Sequence, residues 1–134
     1  MFLATTSIWS WILPIGLGLV FGLLIALRKN HDYKQIILLS AEDFRKNMRK
    51  GQLIDIRKSS EFEIKKISGS RNFQKMSLFA SLHKIRKDQP IFLYDDTNAL
   101  HLRAVARKLI RKGYHPVYVL KLGLTGWTYP LKEE

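Results

Sequence analysis

Polar positions almost vanish from the first part of the chain. Residues 8–27, IWSWILPIGLGLVFGLLIAL, hold no charged side chain, and none precedes them. About 20 apolar residues is the length a helix needs to cross the hydrocarbon core of a bilayer. Trp9 and Trp11 lie near one end of the run, where indole rings favour the headgroup level. Pro14, Gly16, Gly18 and Gly22 would weaken a helix in water, but cost less in lipid, where no water competes for the backbone. Arg28 and Lys29 close the run. A cleavable leader has a basic stretch ahead of a shorter apolar core, and no basic residue stands before Ile8. A buried core helix is the other alternative, but this segment is uncharged on every face. The pattern predicts a retained membrane anchor over residues 1–29, a short polar linker over residues 30–34 and one soluble domain over residues 35–134.

From residue 35 the pattern changes to short apolar runs alternating with helical spacing. Residues 35–39 (QIILL), 53–56, 91–94 and 116–120 are predicted strands. Ser40 is the N-cap of a helix running through Met48 to a stop at Gly51. Ser59 or Ser60 caps a short helix carrying Phe62. Residues 67–73 form a connector containing Gly69. A further helix is expected over residues 76–85, with Leu78, Phe79 and Leu82 inward. After the two acids Asp95 and Asp96, Leu102, Val105, Ala106, Leu109 and Ile110 keep helical spacing with the charges opposite, and Gly113 ends the helix. Trp127 belongs to a final turn or short helix. Strands alternating with helices predict an α/β domain with a mostly parallel sheet covered on both faces.

Charge narrows the list of partners. The chain has 23 Lys and Arg against 11 Asp and Glu, a net charge of +12 over 134 residues, all of it after Leu27. Arg28, Lys29 and Lys34 follow the apolar run directly. The positive-inside rule therefore places the domain in the cytoplasm, with a short external N-terminus and one pass through the cell membrane. The basic pairs are scattered along the domain. An anionic leaflet or an acidic protein fits this charge, with a merely solvated basic surface as the alternative. No nucleic-acid motif and no row of exposed aromatics occurs, so nucleic acid is not an expected partner. The sequence leaves the oligomeric state open. The chain contains no cysteine, which fits a cytoplasmic domain. The four histidines are too dispersed to suggest a metal site, and no cofactor is expected.

The candidate chemistry sits at IFLYDD, residues 91–96, where a buried strand ends just before a helix. Asp95 and Asp96 admit two readings. One is a working pair: aspartate can accept a phosphoryl group, and paired carboxylates can bind Mg²⁺, which would make a carboxylate-dependent phosphatase or transferase. The other is an N-cap or a solvated pair. His101 lies close by, but only Thr97 offers a hydroxyl and no triad is recognisable, so a surface histidine is expected.

The order of short motifs, LSAEDF at 39–44, LIDIRKSSEF at 53–62, ISGSRNF at 67–73, IFLYDD at 91–96 and LKLGLTGW at 120–127, resembles the rhodanese-like sulfurtransferase family over residues 35–130. The resemblance implies a rhodanese-like α/β fold and a persulfide-carrying cysteine in the loop after residues 91–94, in a pattern Cys-x-x-Gly-x-Arg-Ser. Counting back from Leu109 and Gly113 puts that position at Asp96, and counting from the strand end puts it at Asp95. In neither register do the cysteine, glycine and arginine occur. Lys65 and Lys66 stand where the family usually has Gly-His.

Sulfur transfer needs a thiolate that can form a sulfur–sulfur bond, and a carboxylate cannot. With no cysteine in the chain, the resemblance implies a domain without sulfurtransferase activity that acts as a binding or regulatory module. The loop remnant is Asp96, Thr97, Asn98 and Ala99. The Asp96 carboxylate is expected to fill the ring of loop amides that would otherwise take an anion, with Asp95 facing solvent or a basic side chain. Asp55 and Arg57, at a strand end, are the expected support beneath the loop, Asp55 bonding loop backbone or a basic side chain.

Overall fold

The computed structural model describes residues 2–97 and 100–133. The chain divides after Asp32 into two units. The first is helix α1 (Phe2–Lys34) as far as Asp32, and it contains one stretch, Ser7–Lys29, long and apolar enough to cross a membrane. Its described side chains from Ser7 to Lys29 are all exposed. The helix runs on to Lys34, so the residues expected as a polar linker are helical. Nothing in residues 30–34 breaks a helix: the stretch holds neither Gly nor Pro.

The second unit is an α/β domain. In chain order it comprises β1 (Ile36–Leu39), α2 (Ala41–Asn47), β2 (Gln52–Asp55), α3 (Ser59–Ile64), β3 (Lys65–Lys66), β4 (Arg71–Asn72), β5 (Ile91–Tyr94), α4 (Leu100–Arg111), β6 (Val117–Leu120) and β7 (Lys132–Glu133). Short 3₁₀ turns at Met48–Lys50, Leu78–Lys84 and Gly123–Gly126 link them. A five-stranded sheet has the order β1-β6-β5-β2-β4, with every pair parallel. In register, Leu53 lies beside Phe92 and Ile54 beside Leu93, while Phe92 and Leu93 lie beside Tyr118 and Val119.

Alternation along the central strands sends residues to two cores. Ile54, Ile91, Leu93, Val117 and Val119 face α4 and pack with its Leu102, Val105, Ala106 and Leu109. Leu53, Phe92, Tyr94 and Leu120 face α2 and pack with Phe44, Met48 and Trp127. Phe44 meets Phe92 and Trp127 edge-on at centroid distances of 5.5 and 6.2 Å. Burial on both faces is why the strands read as continuous apolar runs. Gln52, a buried polar residue of β2, is satisfied at both ends: its amide donates to the Arg86 carbonyl at 2.7 Å and accepts from the Arg86 amide at 2.8 Å.

The helix ends follow local chemistry. Ser40 Oγ accepts from the Asp43 amide at 3.3 Å, as an N-cap should. Gly113 adopts φ +92°, and the amides of Gly113 and Tyr114 return to the Ile110 and Leu109 carbonyls, a Schellman close. The segment expected as a helix over 76–85 is instead a kinked 3₁₀ stretch, Leu78–Lys84, with Ser81 outside helical geometry. Phe79, Leu82 and Ile85 all reach the α4-side core. Leu78, fully buried, belongs to the same core. The antiparallel pair β3–β7 was not expected either; its Lys65 meets Glu133 at 3.4 Å.

Candidate functional site

The C-terminal ends of β2 and β5 are neighbours, Asp55 lying beside Tyr94. The loops that leave them form the candidate site. Its floor is built first. Asp55 is fully buried, and its Oδ1 accepts from the Arg57 backbone amide at 2.8 Å. The Arg57 guanidinium then folds back on the same carboxylate, Nε to Oδ2 at 3.0 Å and Nη2 to Oδ2 at 2.8 Å. Asp55 thus takes a loop amide and a basic side chain together. Arg57 also donates to the Lys65 carbonyl, and its guanidinium carbon lies 5.9 Å from the centre of the Tyr94 ring. Burial works against the charge on Arg57, but hydrogen bonding to Asp55 and its negative charge outweigh that and hold the guanidinium above its ordinary pKa.

The connector locks this floor. Asn72 Nδ2 donates to the carbonyls of Asp55 and Arg57 at 3.1 and 2.9 Å. The Tyr94 hydroxyl accepts from the Ile67 amide at 3.2 Å and donates to Ser70 Oγ at 3.0 Å, and Ser70 Oγ donates to the Ile67 carbonyl at 2.7 Å. Burial, reinforced by the negative charge of Asp55, raises the Tyr94 phenol well above its ordinary value, so it stays a neutral donor.

The rim is the loop after β5. Asp96 was expected to fill the ring of loop amides; those of Asn98 and Ala99 lie outside the described residues. Asp95 is half-buried and its Oδ1 accepts from the Asp96 amide at 2.7 Å. The Asp96 side chain is 52% exposed and points toward Arg57, Nη1 to Oδ1 at 3.5 Å. Asp95 therefore bonds a loop amide, and Asp96 faces the floor's cation. Asn98 and Ala99 lie outside the described residues, as does the His101 side chain; Thr97 is exposed.

Backbone hydrogen bonds anchor the loop to the turn before Trp127. The Asp95 and Asp96 carbonyls accept from the Leu124 and Thr125 amides at 3.0 and 3.1 Å. Gly123 makes the approach feasible. It has φ +60°, and a Cβ there would lie 2.5 Å from the Asp95 carbonyl oxygen. Trp127, just past that turn, packs on Phe44 and Tyr129. A shallow cleft of about 360 Å³ opens over the rim, lined by Ile56, Arg57, Lys58, Glu61, Gln74, Lys75, Met76, Asp95 and Asp96. The described lining has three cations and three carboxylates. Among the described residues, no group of three His, Cys, Asp or Glu side chains is placed to hold a metal ion.

A family model described as Rhodanese-like domain matches residues 40–129, the stretch that contains this floor, loop and turn. The chain belongs to the rhodanese-like domain family. It is 36% identical over 111 residues to the uncharacterized protein YqhL of Bacillus subtilis, a match covering 81% of this chain and 87% of that one. Among solved structures it resembles a rhodanese-related protein from Thermoplasma volcanium, with TM-score 0.67 and 19% identity over 73% of this chain and 99% of that one. It also resembles a rhodanese-like domain protein from Staphylococcus aureus, with TM-score 0.64 and 14% identity over 73% and 98% of the two chains. In this rhodanese-like domain the motifs build the frame of the site. Asp55 and Arg57 form the floor, Ile67, Ser70 and Asn72 lock it, and Gly123 holds the rim. The roles of Tyr94 and Asn72 were not foreseen. Their one sequence signal is a phenol and an amide side chain at the ends of otherwise apolar or extended runs.

Proposed function

We propose that this chain is a membrane-anchored rhodanese-like module without sulfurtransferase activity, acting as a binding or regulatory domain on the cytoplasmic face. The observation that carries this reading is the Asp96 carboxylate, drawn to Arg57 on the loop after β5, in a chain with no cysteine. Sulfur carriage requires a nucleophile that leaves as readily as it attacks, through a sulfur–sulfur bond. A carboxylate oxygen forms no such bond. The charge balance at the rim supports the same view. Arg57 already serves Asp55 and turns its remaining edge toward Asp96, so a carboxylate of the chain itself competes with any incoming anion. The exposed apolar helix α1 and the basic residues that follow it support the anchor and its orientation.

The test is thiosulfate-to-cyanide sulfur transfer by the purified full-length chain in detergent. The expected result is a rate equal to the protein-free blank; turnover above it, from a protein that cannot form a persulfide on cysteine, would overturn the reading. The anchor and its orientation are tested separately, by alkaline extraction of membranes and by protease protection of the domain in spheroplasts. Extraction by alkali, or digestion of the domain from outside, would remove that part of the proposal.

A further inference from the structure

The two layers that cover the sheet differ in charge. On one side, α2 carries Glu42 and Asp43 in its first turn, and Lys46 pairs with Glu42 at 3.0 Å. On the other, α4 has no acidic residue, and none occurs between Asp96 and Glu133. Its apolar face is buried, and its outward side presents Arg103, Lys108 and Arg111, continued by Lys112. Arg103, Arg107 and Arg111 recur at four-residue spacing, as do Lys108 and Lys112. Like charges so placed disfavour a helix. The segment packed along α4 adds Lys75 and Lys87. The sole acid of residues 73–90, Asp88, is engaged by Arg86 at 2.9 Å. Met76, beside Lys75, is 94% exposed at the edge of a groove it shares with Phe79, Ala104 and Lys108.

We propose that this basic face of α4, with Lys75, Met76 and Lys87, docks on the anionic headgroups of the bilayer. The inference rests on the reading that α1 crosses that bilayer. A tethered domain meets the leaflet at high effective concentration, and a predominantly basic face matches a surface of anionic headgroups. Met76 is unbranched and apolar, and suits the boundary between headgroups and acyl chains. The aromatic residues of this layer argue against nucleic acid as the occupant. Single-stranded nucleic acid binds by stacking its bases on exposed rings. Here Lys108 lies over the Phe79 ring at 5.2 Å and Lys87 over the Tyr114 ring at 5.4 Å. Those rings are covered by the cations themselves, which leaves charge as what the face offers.

The chain has no cysteine, so Ala104→Cys, at an exposed position on α4, gives a single labelling site without background. The labelled full-length protein is reconstituted into vesicles of phosphatidylcholine alone, or with about one third phosphatidylglycerol, each with a headgroup-linked quencher. Flotation confirms that the chain is inserted. The expected result is strong quenching in the anionic vesicles, weak quenching in the neutral ones, and reversal at high salt. Arg111→Glu with Lys112→Glu should reduce the docked fraction sharply, since each cation near the surface contributes about fivefold. Arg49→Glu with Lys50→Glu removes the same charge from the opposite layer and should change nothing. Circular dichroism confirms that each variant is folded, and salt on the unmodified face is the independent perturbation. Equal quenching in both vesicle types, or equal loss from the two double variants, overturns the docking face. Failure of the chain to float with vesicles overturns the anchor reading instead.

Discussion

The floor and the rim of the site are held in opposite ways. At the floor, a carboxylate with no exposed surface and a guanidinium whose side chain is 5% exposed share two short hydrogen bonds, and each has a further backbone partner. At the rim, the same guanidinium reaches a half-exposed carboxylate at 3.5 Å. Burial raises the cost of losing a partner, because the remaining charge has no water to turn to. Exposure lowers it, because water replaces the partner. The floor is thus committed to one arrangement, whereas the rim side chain can change with little effect on the fold.

The comparison is broken most directly at Asp55. Asp55→Ala strands the Arg57 guanidinium in a buried site and should cost about 3–5 kcal/mol. Hydrogen exchange of the β2 and β5 amides in the full chain reads that loss; a change within 0.5 kcal/mol would mean that the floor is not the keystone. Gly123→Ala comes next. Its Cβ would overlap the Asp95 and Asp96 backbone, in a conformation that L-residues adopt at a cost of roughly 1–3 kcal/mol. Exchange of the Leu124 and Thr125 amides should accelerate before that of β5. Tyr94→Phe leaves the Ile67 amide without its acceptor and should cost about 1–3 kcal/mol.

The same substitution has a pH signature. The Tyr94 phenol, ordinary value 10.0, is raised in the folded chain. Above about pH 10 the unfolded chain therefore releases this proton first, and stability falls as pH rises through that range. Below it, both states keep the proton and the term is constant. Tyr94→Phe should flatten that part of the alkaline limb; an unchanged slope would show that the phenol is not shielded. The smallest effect belongs to the rim. Asp96→Asn should change stability by less than about 1 kcal/mol. It should also abolish no turnover, which separates a binding module from a phosphatase or transferase that works through Asp95 and Asp96.

Much of the fold is legible in the sequence where one local signal suffices. The runs at 53–56, 91–94 and 116–120 are apolar on both faces because α2 and α4 cover both faces. Ser40 and Gly113 mark helix ends through hydrogen bonds that span only a few residues. The departures need information from far along the chain. Lys65 and Lys66 become a strand only because Lys132 and Glu133 come to lie beside them. Phe79, Leu82 and Ile85 fit either three or three and a half residues per turn, and only the shape of the core chooses. At the site, the adjacency of Asp55 and Arg57 was visible, but the turn of Asp96 toward Arg57 was not. That contact joins residues 39 apart in sequence. No local pattern marks an aspartate that faces a cation so far along the chain.

The attachment of the β5 loop to the Gly123 turn has a broader implication. Both bonds run from main chain to main chain, so the anchoring is indifferent to which side chains stand at residues 95 and 96. Such a mount works like a socket: it presents whatever is fitted at a constant height above the sheet. On such a frame, a change of side chain at residue 95 or 96 leaves both bonds in place.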